Sequence, residues 1–263
     1  PRHPRLAPHR HGRPAGNLQR RKRLRDQLQV RHLQHAHHRV RKHELAGARA
    51  VHVALDPQTF AVDWQKVRDA ITPKTRMLMI NSPHNPSGAM LDETDLSTLA
   101  EILRGTDIFL VSDEVYEHIV FDGRRHESVL RYPELAARAF VISSFGKTYH
   151  CTGWKIGYAI APEALSAEFR KVHQYNTFTT FSPAQHAFAA MIREEPEHYE
   201  QLGAFYQAKR DRFREQLLAT KLKPLPVPGG YFQLVDYSAI SDLVDTEFVK
   251  WLTVEQGVTA TPL

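Results

Sequence analysis

The sequence lacks several features that define large classes of protein. Only one of its 263 residues is cysteine, Cys151, so no disulfide can form within the chain, which suits a reducing compartment. No apolar run approaches the roughly 18 residues that a membrane-spanning helix needs, and the first residues include no apolar core of a secretory signal. We therefore predict a soluble, cytoplasmic protein that does not bind membranes.

Aromatic and acidic side chains are scarce at the start of the chain. No Phe, Tyr or Trp precedes Phe60, and residues 1–43 carry 13 lysines and arginines against one acidic residue, Asp26. The other 220 residues carry 22 basic and 28 acidic side chains, so the net charge of +6 belongs to the first segment. Such a segment buries too little apolar surface to offset the entropy of folding. We predict that residues 1–43 are disordered or non-native.

The basic segment has three explanations. The first is a genuine basic tail that binds nucleic acid or nothing in particular; an affinity for nucleic acid that falls with salt and is lost when residues 1–43 are removed would support nucleic-acid binding. The second is an out-of-frame translation of a GC-rich gene, in which case another reading frame restores a glycine-containing loop and an aromatic residue. The third is a loose metal site formed by the cluster His32, His35, His37 and His38. We expect neither a metal nor nucleic acid as a partner.

From Glu44 onward, apolar strand-like runs alternate with segments of helical period. The predicted strands are 51–55, 77–81, 108–112, 140–143, 156–160, 231–235 and 258–261. The predicted helices are 64–71, 96–103, 164–176, 183–192, 198–221 and 247–255. Nearly continuous apolar strands between helices indicate an α/β domain whose sheet is covered on both faces.

Polar blocks follow three of the predicted strands. They are Asn85-Pro86-Ser87-Gly88, Ser112-Asp113-Glu114-Val115-Tyr116 and Ser144-Phe145-Gly146-Lys147-Thr148, with Lys155 inside Gly153-Trp154-Lys155-Ile156-Gly157. Ligands of open α/β sheets bind at the carboxyl ends of strands, so these side chains are candidates for one site. Each block alone has a plainer interpretation as a β-turn, a helix cap, a loop tripeptide or a surface charge.

The tripeptide Gly146-Lys147-Thr148 also suggests the end of a phosphate-binding P-loop. That loop requires a glycine five residues before the Gly-Lys pair, because its backbone amides surround the phosphate. Val141 occupies that position, and the acidic strand precedes the lysine loop instead of following it. We therefore reject a nucleotide triphosphatase.

Taken together, the blocks supply an amide, a carboxylate, a phenol, a hydroxyl and two lysines, which are the groups that a pyridoxal phosphate site needs. In their order and spacing they resemble the signature blocks of class I/II aminotransferases of fold type I. The stretch from Ser143 to Gly157 is similar to the methionine and kynurenine (glutamine-phenylpyruvate) aminotransferase branch. The resemblance runs from about Glu44 to Leu263. It implies the α/β large domain of that fold over residues 44–180, with a mainly parallel sheet and helices on both faces, and connecting helices with part of the small α+β domain over 181–263.

The resemblance implies pyridoxal 5′-phosphate as cofactor and a role for each matching residue. Lys147 would be the catalytic residue, which forms the aldimine and moves the proton between the substrate Cα and the cofactor. Asp113 would pair with the pyridine nitrogen and keep it protonated. Asn85 and Tyr116 would hydrogen-bond the phenolic oxygen of the ring.

Two further residues would bind the phosphate, Ser144 through its hydroxyl and Lys155 through its charge. Many relatives have arginine at the last position, and lysine supplies a point charge in place of a bidentate fork. Three elements of the family pattern do not match: a phosphate-binding loop and a ring-stacking aromatic before Glu44, and a carboxylate-binding arginine after Leu263. We therefore expect a chain truncated at the C-terminus, with reduced or absent activity.

The predicted function is transfer of an amino group between an amino acid, such as methionine or an aromatic one, and a 2-oxo acid. The resemblance also implies a homodimer. A carbon-sulfur β-lyase of the same fold is the nearest alternative, which would release pyruvate and ammonia from cystathionine without an oxo-acid acceptor. A non-catalytic product that binds nucleic acid through its basic arm is the alternative from another class.

Overall fold

The structure is a computed structural model and describes residues 47–263. Val53–Leu263 form a compact unit, the second of two along the chain. The predictions for residues 1–43, including the histidine cluster, fall outside the described residues. Residues 51–55 form no strand, so that prediction is wrong. A β-prone sequence becomes a strand only where a neighbouring strand accepts its backbone hydrogen bonds.

A four-stranded sheet organises the second unit. Its strands lie in the order β1 (Met77–Asn81), β2 (Phe109–Asp113), β3 (Ala139–Ser144) and β4 (Gly157–Ile160). The pairs β1–β2 and β2–β3 are parallel, whereas β4 runs antiparallel to β3. The predicted α/β class with a mainly parallel sheet is confirmed.

Helices connect the strands and cover one face of the sheet. α1 (Trp64–Ala70) and α2 (Glu93–Leu103) precede β1 and β2, and the carboxylates of Asp63 and Asp92 cap their N-termini. The short α3 (Pro133–Ala136) precedes β3. The core between α2 and the sheet is aliphatic and consists mainly of Leu96, Leu99, Leu103, Leu110 and Val141.

The opposite face of the sheet is covered more sparsely. α4 (Phe145–Thr148) follows β3 directly, and α5 (Glu163–Asn176) follows β4. Phe169 of α5 contacts Phe140 of β3, with ring centroids 6.2 Å apart. Helices thus pack on both faces, but Met79 stays 70% exposed and Ile142 41% exposed. This face presents more apolar surface than a soluble α/β sheet usually does.

The remaining residues form helices and one two-stranded pairing. The helices are α6 (Ser182–Glu194), α7 (Pro196–Glu200), α8 (Leu202–Leu218) and α9 (Asp245–Glu255). The antiparallel strands β5 (Lys223–Pro224) and β6 (Val235–Asp236) lie between α8 and α9. No helix within residues 47–263 has the length and hydrophobicity needed to cross a bilayer. The predicted domain boundary at residue 181 stays a prediction.

Three predicted elements of this region differ from the structure. The helix predicted over 198–221 is interrupted at Gln201, where α7 ends and α8 begins. A Cβ on Gly203 would lie 2.8 Å from the Val120 carbonyl oxygen, so the start of α8 sits directly against that loop. Of the strand predicted over 231–235, only Val235 pairs with another strand, as part of β6. Residues 258–261 form no strand.

Candidate active site

The carboxyl ends of three strands meet at one edge of the sheet. Asn81 at the end of β1 pairs in register with Asp113 at the end of β2, and Asp113 pairs with Ile142 of β3. Ser144, the last residue of β3, pairs with Gly157, where β4 begins. The three polar blocks predicted from the sequence therefore open onto the same edge, where ligands of α/β sheets bind.

The Asn81 side chain connects the first two blocks. Its carboxamide nitrogen donates to the main-chain oxygen of Asp113 at 2.8 Å, and its carboxamide oxygen accepts from the Asn85 amide at 2.8 Å. The Asp113 carboxylate accepts a hydrogen bond of 3.3 Å from the Val115 amide. The carboxamide of Asn85 itself has no hydrogen-bond partner within residues 47–263, so it is available to a ligand.

A buried carboxylate fixes the segment that carries Asp113 and Tyr116. Glu114 is 1% exposed and accepts hydrogen bonds from the Ser112 hydroxyl and the Val129 amide, at 2.8 and 3.1 Å. Its second oxygen lies 2.8 Å from His126 Nε2. Burial acts to raise the pKa of Glu114. The hydrogen bond and charge of His126, together with hydrogen bonds from Ser112 and Ser128, outweigh burial, so the pKa lies below its usual range.

A second carboxylate, Glu117, ties the same segment to β3 and β4. Its Oε1 atom accepts hydrogen bonds from the Ser143 hydroxyl, at 2.7 Å, and from the Tyr158 hydroxyl. Burial and the hydrogen bond to Glu117 raise the pKa of Tyr158, which therefore stays a neutral donor. The loop after β2 is thus held on both sides.

Lys147 lies in α4, immediately after β3. Its amine donates a hydrogen bond of 2.8 Å to the hydroxyl of Tyr231 and lies 5.4 Å from the centroid of that ring. Tyr116 is 1% exposed and meets Tyr231 edge to face, with ring centroids 5.1 Å apart. The predicted residues Lys147 and Tyr116 therefore contact one common side chain.

The end of β3 and the start of β4 bring a hydroxyl and a cation to the same edge. Ser144 Oγ reaches the Ile156 oxygen only at 3.5 Å, so it is weakly engaged. Lys155 has a left-handed backbone with φ of 57° and is exposed, and its ammonium has no ion-pair partner within residues 47–263. A Cβ on Gly157 would overlap the Ser143 carbonyl oxygen, so glycine is required for this close approach.

The groups at this edge fit pyridoxal phosphate by their chemistry. An amine, a carboxylate, a phenol and a carboxamide lie on the segments that follow or end β1, β2 and β3, and a hydroxyl and a cation lie at the end of β3 and just before β4. The free Asn85 carboxamide and the weakly engaged Ser144 hydroxyl are polar groups with bonding capacity left for a ligand. Within residues 47–263 no group of three or more His, Cys, Asp or Glu side chains is arranged to hold a metal ion.

The sequence analysis predicts no role in the site for Tyr231 or Asn81. Tyr231 lies 84 residues beyond Lys147 along the chain, and its only signal is the Pro228-Gly229-Gly230 turn in front of it. A Cβ on Gly229 would lie 2.9 Å from Pro83, so the turn packs against the loop after β1. A glycine pair before an aromatic residue is a hint of such close packing.

Comparison with known proteins gives the class of protein that this fold and site define. The sequence model of the family described as aminotransferase class I and II matches residues 18–263, and the chain belongs to this family. The match begins at residue 18, earlier than Glu44, which is the start that the sequence motifs predict for the resemblance. Class I/II aminotransferases depend on pyridoxal phosphate.

Individual relatives narrow the comparison. The chain is 51% identical over 219 residues to a methionine aminotransferase of Escherichia coli, covering 83% of this chain and 57% of that protein. A crystal structure of an Escherichia coli protein with methionine aminotransferase function, 51% identical to this chain, superposes with a TM-score of 0.81 over 83% of this chain and 58% of the other. A kynurenine–oxoglutarate transaminase of Mus musculus is 32% identical over 223 residues, covering 76% of this chain and 53% of that protein. The chain therefore spans little more than half the length of these relatives.

Proposed function

We propose that this chain carries the cofactor site of an enzyme that transfers amino groups between an amino acid and a 2-oxo acid. The observation that carries the proposal is the position of Lys147, directly after β3 at the edge where Asp113 and the Asn85 loop also end. Methionine and aromatic amino acids are the proposed amino donors, because the relatives include a methionine aminotransferase and kynurenine transaminases.

Pyridoxal phosphate, when bound, supplies an electron-withdrawing ring that stabilises negative charge at the α-carbon of an attached amino acid. Lys147 would take the proton that leaves the substrate Cα and return it to the C4′ carbon of the cofactor. Its amine lies at the edge of the sheet and donates a hydrogen bond to the Tyr231 hydroxyl.

Asp113 would accept a hydrogen bond from the protonated pyridine nitrogen, and its negative charge would keep that nitrogen protonated. Tyr116 and the free carboxamide of Asn85 would hydrogen-bond the phenolic oxygen of the ring. The hydrogen bonds of Glu114 and Glu117 hold the loop between Asp113 and Tyr116 in place, so these groups need little rearrangement when they bind.

Ser144 and Lys155 would bind the phosphate. The hydroxyl supplies a directional hydrogen bond, while the ammonium supplies charge without the bidentate geometry of arginine. Gly157 allows the backbone that carries Lys155 to approach the end of β3. A residue with a side chain at that position would push the cation away from the site.

We also propose a cytoplasmic homodimer. Its support is a set of large apolar side chains exposed on α5 and the loop after it, namely Val172, Tyr175, Phe178 and Phe181, of which Tyr175 is 90% exposed. Exposed apolar groups of this size are typical of protein interfaces. The free Cys151 suits a reducing compartment. Sedimentation of the purified chain measures the mass, and a monomer at micromolar concentration contradicts the dimer.

The experiment that tests the cofactor site is an absorbance titration of the purified chain with pyridoxal phosphate. We expect a long-wavelength band that is present in the wild type, absent in Lys147→Ala and retained in Lys171→Ala. Lys171 is a matched control, because it is an exposed lysine whose ion pair within residues 47–263 is with Glu168. A folded wild-type chain that gives no band, or a band that survives Lys147→Ala, contradicts the proposal.

Product analysis separates amino transfer from the β-lyase alternative. Amino transfer requires an oxo-acid acceptor and converts it to the corresponding amino acid. Pyruvate and ammonia released from cystathionine without an acceptor would identify a lyase instead. The relatives named above are aminotransferases, which favours the first outcome.

A further inference from the structure

The hydroxyl that Lys147 contacts belongs to Tyr231, which is not among the proposed cofactor contacts. Tyr231 accepts a hydrogen bond of 2.8 Å from the Lys147 amine, which also lies over the ring of Tyr231 at 5.4 Å from the centroid. The two residues are far apart in sequence, and each is partly buried. A phenol that meets an ammonium both through its oxygen and through its ring offers it two attractive contacts.

The backbone around Tyr231 is held from two sides. Gly230 donates a hydrogen bond of 2.8 Å to the Ile119 oxygen, and Pro228 accepts one of 3.0 Å from the Phe121 amide. The packing of Gly229 against Pro83 fixes the same turn to the loop after β1. The segment that precedes Tyr231 is therefore anchored to the loops that follow β1 and β2.

The ring of Tyr231 is also enclosed by other rings. Its centroid lies 5.1 Å from Tyr116, 4.9 Å from Phe232 and 5.7 Å from Tyr206. Aromatic contacts at these distances are favourable and restrict the side chain to one position. The hydroxyl of Tyr231 is thus a fixed point, whereas the lysine side chain that reaches it is long and flexible.

We propose that Tyr231 is a positioning residue for Lys147. Its hydroxyl holds the lysine amine at one place at the edge of the sheet whenever the amine is not attached to the cofactor. The lysine then starts each attack and each proton movement from a defined position, which accelerates both steps without any change in chemistry. This inference rests on the proposed function of Lys147, and its test separates the two.

The first measurement uses the cofactor-free chain and follows the lysine ammonium groups by ¹H–¹⁵N NMR. The Lys147 signal is identified by its loss in Lys147→Ala. We expect its hydrogens to exchange with water more slowly than those of the exposed Lys171, and about tenfold faster in Tyr231→Phe than in the wild type, as befits loss of one hydrogen bond to a charged group. Tyr206→Phe is the matched control, because it removes a neighbouring hydroxyl that has no contact with Lys147, and it should leave the exchange unchanged.

The second measurement follows the rate at which the Lys147-dependent absorbance band forms after mixing with pyridoxal phosphate. We expect the rate constant to fall about tenfold in Tyr231→Phe and to stay within twofold in Tyr206→Phe. Equal rate constants in wild type and Tyr231→Phe overturn the positioning role while leaving the proposed function intact. A wild type without any band overturns the proposed function, and the positioning role with it, whatever the NMR result.

If Tyr231→Phe fails to fold, the wild-type chain still tests the positioning role by NMR. Lys147 ammonium hydrogens that exchange with water as fast as those of Lys171 contradict the contact between Lys147 and Tyr231. Slow exchange of Lys147 in the wild type supports it. Near-ultraviolet circular dichroism of each variant shows whether the aromatic cluster is intact.

Discussion

The carboxamide of Asn81 donates a hydrogen bond of 2.8 Å to the main-chain oxygen of Asp113, and so joins the ends of two parallel strands through a side chain. The same carboxamide accepts the Asn85 amide. One residue thus sets the relative position of two of the proposed cofactor contacts. Its two hydrogen bonds are partly buried, where a polar group without a partner lowers the free energy of unfolding.

We predict that Asn81→Ala lowers the free energy of unfolding by about 2 kcal/mol and weakens pyridoxal phosphate binding, because it removes both hydrogen bonds. Urea unfolding and the absorbance titration measure the two effects. Asn176→Ala is the control, since among the described residues the Asn176 carboxamide makes one exposed hydrogen bond, of 3.5 Å, to Thr177. If both variants unfold at the same urea concentration as the wild type, the Asn81 bridge has no structural importance.

Two glycines of the Gly153-Trp154-Lys155-Ile156-Gly157 block should respond differently to the same substitution. Gly157→Ala places a methyl group against the Ser143 oxygen, so we expect a loss of about 2 kcal/mol in unfolding free energy and weaker binding of inorganic phosphate. A Cβ on Gly153 meets nothing within 4 Å, so Gly153→Ala should change stability by less than about 0.5 kcal/mol. Thermal unfolding of the two variants side by side measures this, and equal melting temperatures would contradict it.

The buried pair of Glu114 and His126 predicts an acid-sensitive contribution to stability. The pKa of Glu114 in the folded chain lies below its ordinary value of 4.5, so the unfolded chain binds this proton more readily. The contribution of Glu114 is therefore present above about pH 4.5 and is lost as the pH falls through the lowered pKa.

We expect Glu114→Gln to lower the unfolding free energy by about 2 kcal/mol at neutral pH, and the difference from wild type to shrink below about pH 4.5. Glu101→Gln is the control, because Glu101 is exposed and reaches Arg68 only at 3.9 Å. Urea unfolding at several pH values gives both curves. A Glu114→Gln deficit that is the same at every pH would show that the carboxylate charge is irrelevant.

The exposed face of the sheet predicts opposite outcomes for two adjacent residues of β1. Met79 is 70% exposed, so Met79→Glu should leave stability within about 0.5 kcal/mol and reduce the binding of a hydrophobic dye. Leu78 points into the core on the other face, so Leu78→Glu should cost more than about 3 kcal/mol. Equal destabilisation by the two substitutions would mean that Met79 is covered in solution.

Much of the architecture could be predicted from local sequence. The strands β1 to β4 and the helices α1, α2, α5, α6 and α9 were predicted within a few residues, because their apolar periodicity extends over whole elements. The polar blocks that follow the strands were recognisable for the same reason, since a parallel sheet gathers the carboxyl ends of its strands at one edge.

The failures share a physical cause. The predicted strands 51–55, 231–235 and 258–261 are apolar or β-branched, but a strand also needs a neighbouring strand, and within residues 47–263 only Val235 of these ranges pairs with one. The helix over 198–221 has continuous helical sequence, and the packing of Gly203 on Val120 accompanies its interruption at Gln201.

The sequence by itself determined the α/β class, the family and the six candidate cofactor residues, because each is written in a short block whose chemistry is local. Only the tertiary structure decided which residues support them. Asn81 meets Asp113 from the adjacent strand, and Tyr231 meets Lys147 from a turn 84 residues further along the chain. Such partners are set by the register of the sheet and by the packing of loops on its edge, and no spacing along the chain encodes them.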